Sequence, residues 1–251
     1  RQEILDNCKD KAERERTDEL IRPILRGNTI TAYQINWDDE YIINFHNGYN
    51  KIDGKKISPA NPNDYPAIKA HIDKIAKEVQ AGLRTTRGGH KGSNKGFYER
   101  TDCGRTPYNL RACKYVDYFS LPKIIWKQTS STQTFAFDDS GYFLDVSGQF
   151  LYSKELTKDE LLYVLAVLNS KLSLYWFTNN AVKFGSQGVR WIPAIIELFP
   201  IPKVFDKTLI ELVKQTQTKS IDDKQEIDRK VYELYGLNEE EIVFIENQNE
   251  L

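Results

Sequence analysis

The sequence predicts a mixed α/β (α+β) body followed by a C-terminal helical tail. Short β-prone runs set off by turn residues, helical periodicity in two central stretches, and a proline-rich stop at Phe199-Pro200-Ile201-Pro202 before further helical stripes all point that way. At 251 residues, with 40% hydrophobic and 28% charged side chains, the chain can bury a real core and falls among ordinary globular proteins.

Arg1 to Arg16 is almost wholly charged or polar and reads as a solvated linker or short helix. Tyr41-Ile42-Ile43-Asn44-Phe45 is β-prone, and Asp53-Gly54 between Ile52 and Ile57 marks a hairpin turn. Asp64 is placed to cap a helix carrying Ile68, Ile72, Ile75 and Val79 on one face and ending near Gly82. Arg84 to Gly96 has no hydrophobic period and is rich in Gly, Arg and Lys, so it reads as a loop. Strand signals follow at Lys123 to Gln128, Thr134 to Phe137, Tyr142 to Val146 and Gln149 to Tyr152, with turns at Asp139-Ser140-Gly141 and Ser147-Gly148.

Thr157 and Glu160 form a capping box that opens one helix apolar on nearly every side, from Leu161 through Leu172 to Trp176. Beyond the proline stop, Leu209, Leu212 and Val213 share one stripe and Ile227, Val231, Leu234 and Tyr235 another. Gly236 ends the second helix, and Asn238 opens a last one.

No apolar run has the length of a membrane span. Cys8, Cys103 and Cys113 form an odd trio without CxxC spacing, which argues for a reducing cytoplasmic setting and against a zinc site. The chain starts at Arg1 and contains no methionine, which reads as a fragment of a longer polypeptide or as a sequence from which methionines are missing.

Charge is the first functional signal. Between Arg84 and Lys127 ten basic residues face three acids, whereas beyond Phe205 twelve acids outnumber six Lys and Arg. A basic, glycine-rich stretch with amides such as Asn94, Asn109 and Gln128 suits groove contact, because cations displace counterions from phosphates while Arg, Asn and Gln can pair with base edges. The plain alternative is a solvated basic surface. Catalytic signatures are missing: Asn61-Pro62-Asn63-Asp64-Tyr65 only superficially resembles a base-gripping methyltransferase loop, and Asp53-Gly54-Lys55 is better read as a turn than as a nuclease acid–lysine pair. His46, His71 and His90 lack a Ser or Cys partner at a recognisable spacing, and no phosphate or dinucleotide loop occurs.

Seven runs follow one another along the chain: Ile21-Arg22-Pro23-Ile24-Leu25-Arg26-Gly27, Asp64-Tyr65-Pro66-Ala67-Ile68, Thr106-Pro107-Tyr108-Asn109-Leu110-Arg111, Pro122-Lys123-Ile124-Ile125-Trp126, Asp138 through Gly141-Tyr142-Phe143, Leu168-Asn169-Ser170-Lys171-Leu172, and Phe199-Pro200-Ile201-Pro202. Together, in this order, they resemble the TaqI-like C-terminal specificity domain of type IIG restriction–modification enzymes and related adenine-specific DNA methyltransferases. The resemblance implies a target-recognition-like body over 17–204, a linker over 1–16 from an upstream catalytic region, and a helical segment over 205–251.

It further implies a non-catalytic fragment that selects a double-stranded DNA site. The bacterial parent would be an S-adenosylmethionine-dependent adenine-N6 methyltransferase, using Mg2+ where it also cleaves. DNA contacts are then expected from Arg84, Arg87, Lys91, Lys95, Arg105, Tyr108, Arg111, Lys127, Gln128, Lys183, Gln187 and Arg190, with no metal or cofactor site in this portion. Ile124, Ile125, Trp126, Leu168 and Leu172 are expected in the core, and Asn169 as a structural amide. A different class, a protein-interaction module using the C-terminal helices, and an undetected nuclease are the rivals.

Overall fold

The computed structural model describes residues 1–83, 97–99, 101–185, 188–219 and 224–248. The mixed α/β architecture with C-terminal helices is as the sequence predicts. The chain forms two compact units: residues 1–23 with 41–119, and 24–40 with 120–251.

In the first unit the charged opening stretch takes the helical of the two alternatives read from the sequence. It forms helices Gln2–Asp6 and Lys11–Leu20, the second capped by Asp10, whose carboxylate accepts the Glu13 N–H at 2.7 Å. Ile4 and Leu5 are buried with Leu20, Ile21, Phe45, Ala67 and Ile68. Ile21–Pro23 then pair antiparallel with Tyr41–Ile43, and Tyr49–Asn50 pair with Lys56–Ile57 around Gly54, whose φ of +88° suits the predicted turn.

The amphipathic helix runs over Pro66–Gln80. Asp64 does not cap it, lying instead in the short 3-10 turn Pro62–Asp64. The orphan N–H of Ala67 is met from far along the chain by Glu13, which is buried, accepts it at 2.9 Å and also accepts Lys9 N–H at 3.0 Å. A carboxylate there also suits the positive end of the helix dipole. Sequence spacing could not reveal a cap supplied 54 residues away.

In the second unit the strand Lys123–Lys127 lies between Gly148–Tyr152 and Ala136–Asp138, antiparallel to both, while Ile24 and Leu25 pair in parallel with Phe143 and Leu144. Ile124, Ile125 and Trp126 are buried, as expected of a strand covered on both faces. The capping box at Thr157 and Glu160 is present.

The single apolar helix read from the sequence is two, Lys158–Leu168 and Lys171–Asn180, bent by 65°. Ser170 adopts an extended conformation and its hydroxyl caps the second helix at Ser173 N–H. Asn169 closes the first helix, pairing both amide atoms with the Phe135 backbone at 3.2 and 2.8 Å, so it is the structural amide expected.

Lys207–Lys219, Lys224–Tyr235 and Glu239–Gln248 complete this unit. Leu209, Val213, Ile227 and Val231 share one buried cluster with Leu161, Leu165 and Trp191. Among the described residues no single helix is long and apolar enough to cross a membrane, and no His, Cys, Asp and Glu side chains gather as a metal-binding group.

Candidate nucleic-acid interface

In the first unit, the Tyr49–Asn50/Lys56–Ile57 hairpin and the segment 111–114 wall a groove of about 910 Å3. Its charged lining is Lys51, Lys56, Arg111 and Lys114, accompanied by Asn47, Asn50, Tyr49 and Tyr118, with no carboxylate among the lining residues. Both walls are fixed from behind. Asn109, fully buried, donates to the His46 and Ala60 carbonyls at 3.0 and 2.9 Å and accepts from Thr106. Asn47 accepts the Arg105 N–H at 2.8 Å, and the Cys113 sulfur accepts the Asn47 N–H. Burial lowers the His46 pKa, keeping it a neutral ring able to accept the Gly48 N–H, and burial raises that of the Cys113 thiol.

Asn109 is therefore a brace for the loop, and the expectation that its amide faces a DNA groove is corrected. Tyr108 is also engaged internally: its hydroxyl donates to Asp73 at 2.7 Å, beside a second donor, Tyr98, at 2.6 Å. Burial would raise the Asp73 pKa, but hydrogen bonds from Lys69, Tyr98 and Tyr108 outweigh it and hold the carboxylate at about 2. This cluster ties Phe97–Glu99 and Tyr108 to the Pro66–Gln80 helix. Arg105 and Arg111 are exposed.

In the second unit a small ribbon gathers further candidates. Thr129–Ser130 pair with Val189–Arg190, and Lys183 bridges Val189. Gln128 lies at the root of this ribbon, where its carbonyl accepts the Trp191 N–H at 2.9 Å, and Lys127 precedes it on the central strand. Lys183 and Arg190 are exposed, and the Arg190 guanidinium lies over the Phe184 ring, 5.3 Å from its centroid. Arg84, Arg87, Lys91, Lys95 and Gln187, with Asn94, lie outside the described residues.

Several cations elsewhere are ion-paired: Arg1 with Asp18, Arg26 with Glu40 and Asp145, Lys171 with Glu246, Arg229 with Glu226 and Glu233. Arg105, Arg111, Lys127, Lys183 and Arg190 have no ion-pair partner among the described residues, and neither do Lys114, counted in the basic stretch, and Lys51 and Lys56, which sequence reasoning missed. Their signal was the crowding of Lys51, Lys55 and Lys56 around one turn.

The chain belongs to the TaqI-like C-terminal specificity domain family, whose model matches residues 22–201. A domain of this family is the target-specificity part of a restriction–modification enzyme and is not itself a catalytic domain.

Proposed function

We propose that the chain binds double-stranded DNA sequence-specifically, choosing the site at which the catalytic part of the same polypeptide acts. That part is an S-adenosylmethionine-dependent adenine-N6 methyltransferase, with or without a Mg2+-dependent endonuclease. Both cofactors belong to that catalytic part. The observation that carries the reading is the gathering of Lys51, Lys56, Arg111 and Lys114, none with an ion-pair partner among the described residues, around one groove that no carboxylate lines. Exposed cations without carboxylates are free to replace the counterions of a phosphate backbone, and that release makes binding salt-dependent.

The test is anisotropy of a labelled mixed-sequence duplex between roughly 50 and 200 mM salt, where several phosphate contacts weaken affinity by orders of magnitude. Arg111→Ala with Lys114→Ala should reduce the slope of log K against log salt by about two. Salt-independent affinity defeats the reading.

A second reading, an assembly module using the C-terminal helices, has one observation in its favour. Val243 and Phe244 are exposed beside Glu240 and Glu241, an apolar and acidic surface unsuited to DNA.

A further inference from the structure

Resting on that DNA-binding reading, we propose that Arg190 reads a base edge in the major groove, with Phe184 as the platform that orients it. Contacts to phosphate and contacts to bases make different demands on a cation. A phosphate oxygen accepts a hydrogen bond from many directions, whereas pairing with guanine O6 and N7 requires the guanidinium plane to lie in the plane of the base. Arg190 is the described cation of this ribbon whose guanidinium carbon lies over an aromatic ring, 5.3 Å from the Phe184 centroid, and it is exposed with no ion-pair partner among the described residues.

The ribbon is also built to hold that geometry. Arg190 N–H donates to the Val182 carbonyl at 2.9 Å and Phe184 N–H to the Gly188 carbonyl at 2.8 Å, so both ring and guanidinium ride on one paired backbone. The next residue, Trp191, is buried. Its indole N–H donates to the Ser130 carbonyl at 3.1 Å, and its own carbonyl accepts the Trp126 indole N–H at 2.7 Å. Gly188 has φ +103°, and a Cβ there would stand 2.4 Å from the Ser130 carbonyl oxygen, so the close approach of the two strands admits no side chain. A specificity contact needs such support from rigid elements.

The surface beside Arg190 is unusual for one facing only water. Phe184 and Val182 are 44% and 56% exposed, next to Lys183, making an apolar patch within a cationic ribbon. A major groove takes a two-stranded β-ribbon, its walls attract Lys183, and its thymine methyl groups accept apolar contact.

The experiment is selection of bound duplexes from a random-sequence pool by the wild-type chain and by Arg190→Lys, Arg190→Ala and Phe184→Ala, with salt slopes measured on the enriched duplex. Wild type should enrich a motif containing a guanine whose preference falls about ten- to a hundredfold in both Arg190 variants, while the other positions keep theirs. Arg190→Lys should keep the wild-type salt slope, because its charge is retained, and Phe184→Ala should weaken the same guanine position. An unchanged motif in Arg190→Lys overturns the proposal, as does a uniform loss across all positions, which marks a phosphate contact. Failure of the wild type to enrich any motif defeats the DNA-recognition reading itself and this proposal with it.

Discussion

Lys123 and Asp138 are register partners on adjacent strands, and their side chains meet at 2.5 Å with neither exposed to solvent. The pair joins two sequence runs, Pro122 to Trp126 and Asp138 to Phe143. Asp138 also accepts the N–H groups of Ser140, Gly141 and Tyr142, so one carboxylate both neutralises the lysine and folds the turn that follows. Burial lowers the Lys123 pKa, and the adjacent carboxylate opposes that shift.

Removing one partner of such a pair strands the other charge in a dry interior. Lys123→Met should therefore lower stability by about 3–5 kcal/mol in urea unfolding. Adding Asp138→Asn should recover part of the loss, because the stranded charge is gone. The salt slope of DNA binding should stay at the wild-type value in whatever fraction remains folded, unlike that of the Arg111 variant. A loss below about 1 kcal/mol would place this pair with ordinary surface bridges.

Lys123 also shows where sequence reading stops. It was one of ten cations in the basic stretch, yet it contributes nothing to a binding surface, because its partner lies on another strand. Asn109 misleads in the same way: an amide in a basic loop looks available until the His46 and Ala60 carbonyls are seen to occupy it. Lys51 and Lys56 were overlooked for the opposite reason, being separated in sequence from Arg111 and Lys114 and brought beside them only by the hairpin.

What local sequence could carry was legible. The Thr157–Glu160 box, the glycine turn at Gly54 and the helical stripe from Ile68 depend on neighbours a few residues apart. The break at Asn169-Ser170 was not legible, because apolar periodicity continues across it while Ser170 capping and the Phe135 contact redirect the chain. The division into two units was equally hidden: Ile21–Pro23 pair within one unit and Ile24–Leu25 within the other, with no linker composition between them.

Asp228 gives a pH dependence. It is buried, accepts the Lys171 N–H at 2.7 Å, and has its pKa pushed up to about 6 by burial, which outweighs that bond. Between about pH 4 and pH 6 the folded chain keeps this proton while the unfolded chain has released it. Stability from this group therefore falls as pH rises through that window and is fully lost above it, by about 3 kcal/mol at most. Asp228→Asn keeps an oxygen to accept the Lys171 N–H and carries no charge, so its stability should change less over this window. Equal slopes for variant and wild type in thermal unfolding between pH 4 and 7 would show that Asp228 does not supply the dependence.

The C-terminal helices are acidic enough to look like a detachable tail, but their inner faces belong to the core. Leu209, Val213, Ile227 and Val231 are buried with Leu161, Leu165 and Trp191, and the Tyr163 and Tyr235 hydroxyls donate to the Pro202 and Pro200 carbonyls at 2.7 and 2.6 Å. Each buried aliphatic side chain is worth about 1.5–3 kcal/mol, so four together approach the whole stability of a typical domain, about 5–15 kcal/mol. Truncation after residue 204 should abolish the cooperative unfolding transition of the second unit and with it duplex binding through the Arg190 ribbon, measured by calorimetry and anisotropy. A separable interaction module predicts the reverse, a truncated chain that melts cooperatively and keeps its DNA affinity. Val243→Ser probes the outer surface apart from the core: this side chain is exposed, so stability should change by no more than about 0.5 kcal/mol and a loss of assembly is attributable to that surface, whereas Phe244→Ser also removes the edge-on contact with the Tyr175 ring, worth about 0.5–1.5 kcal/mol.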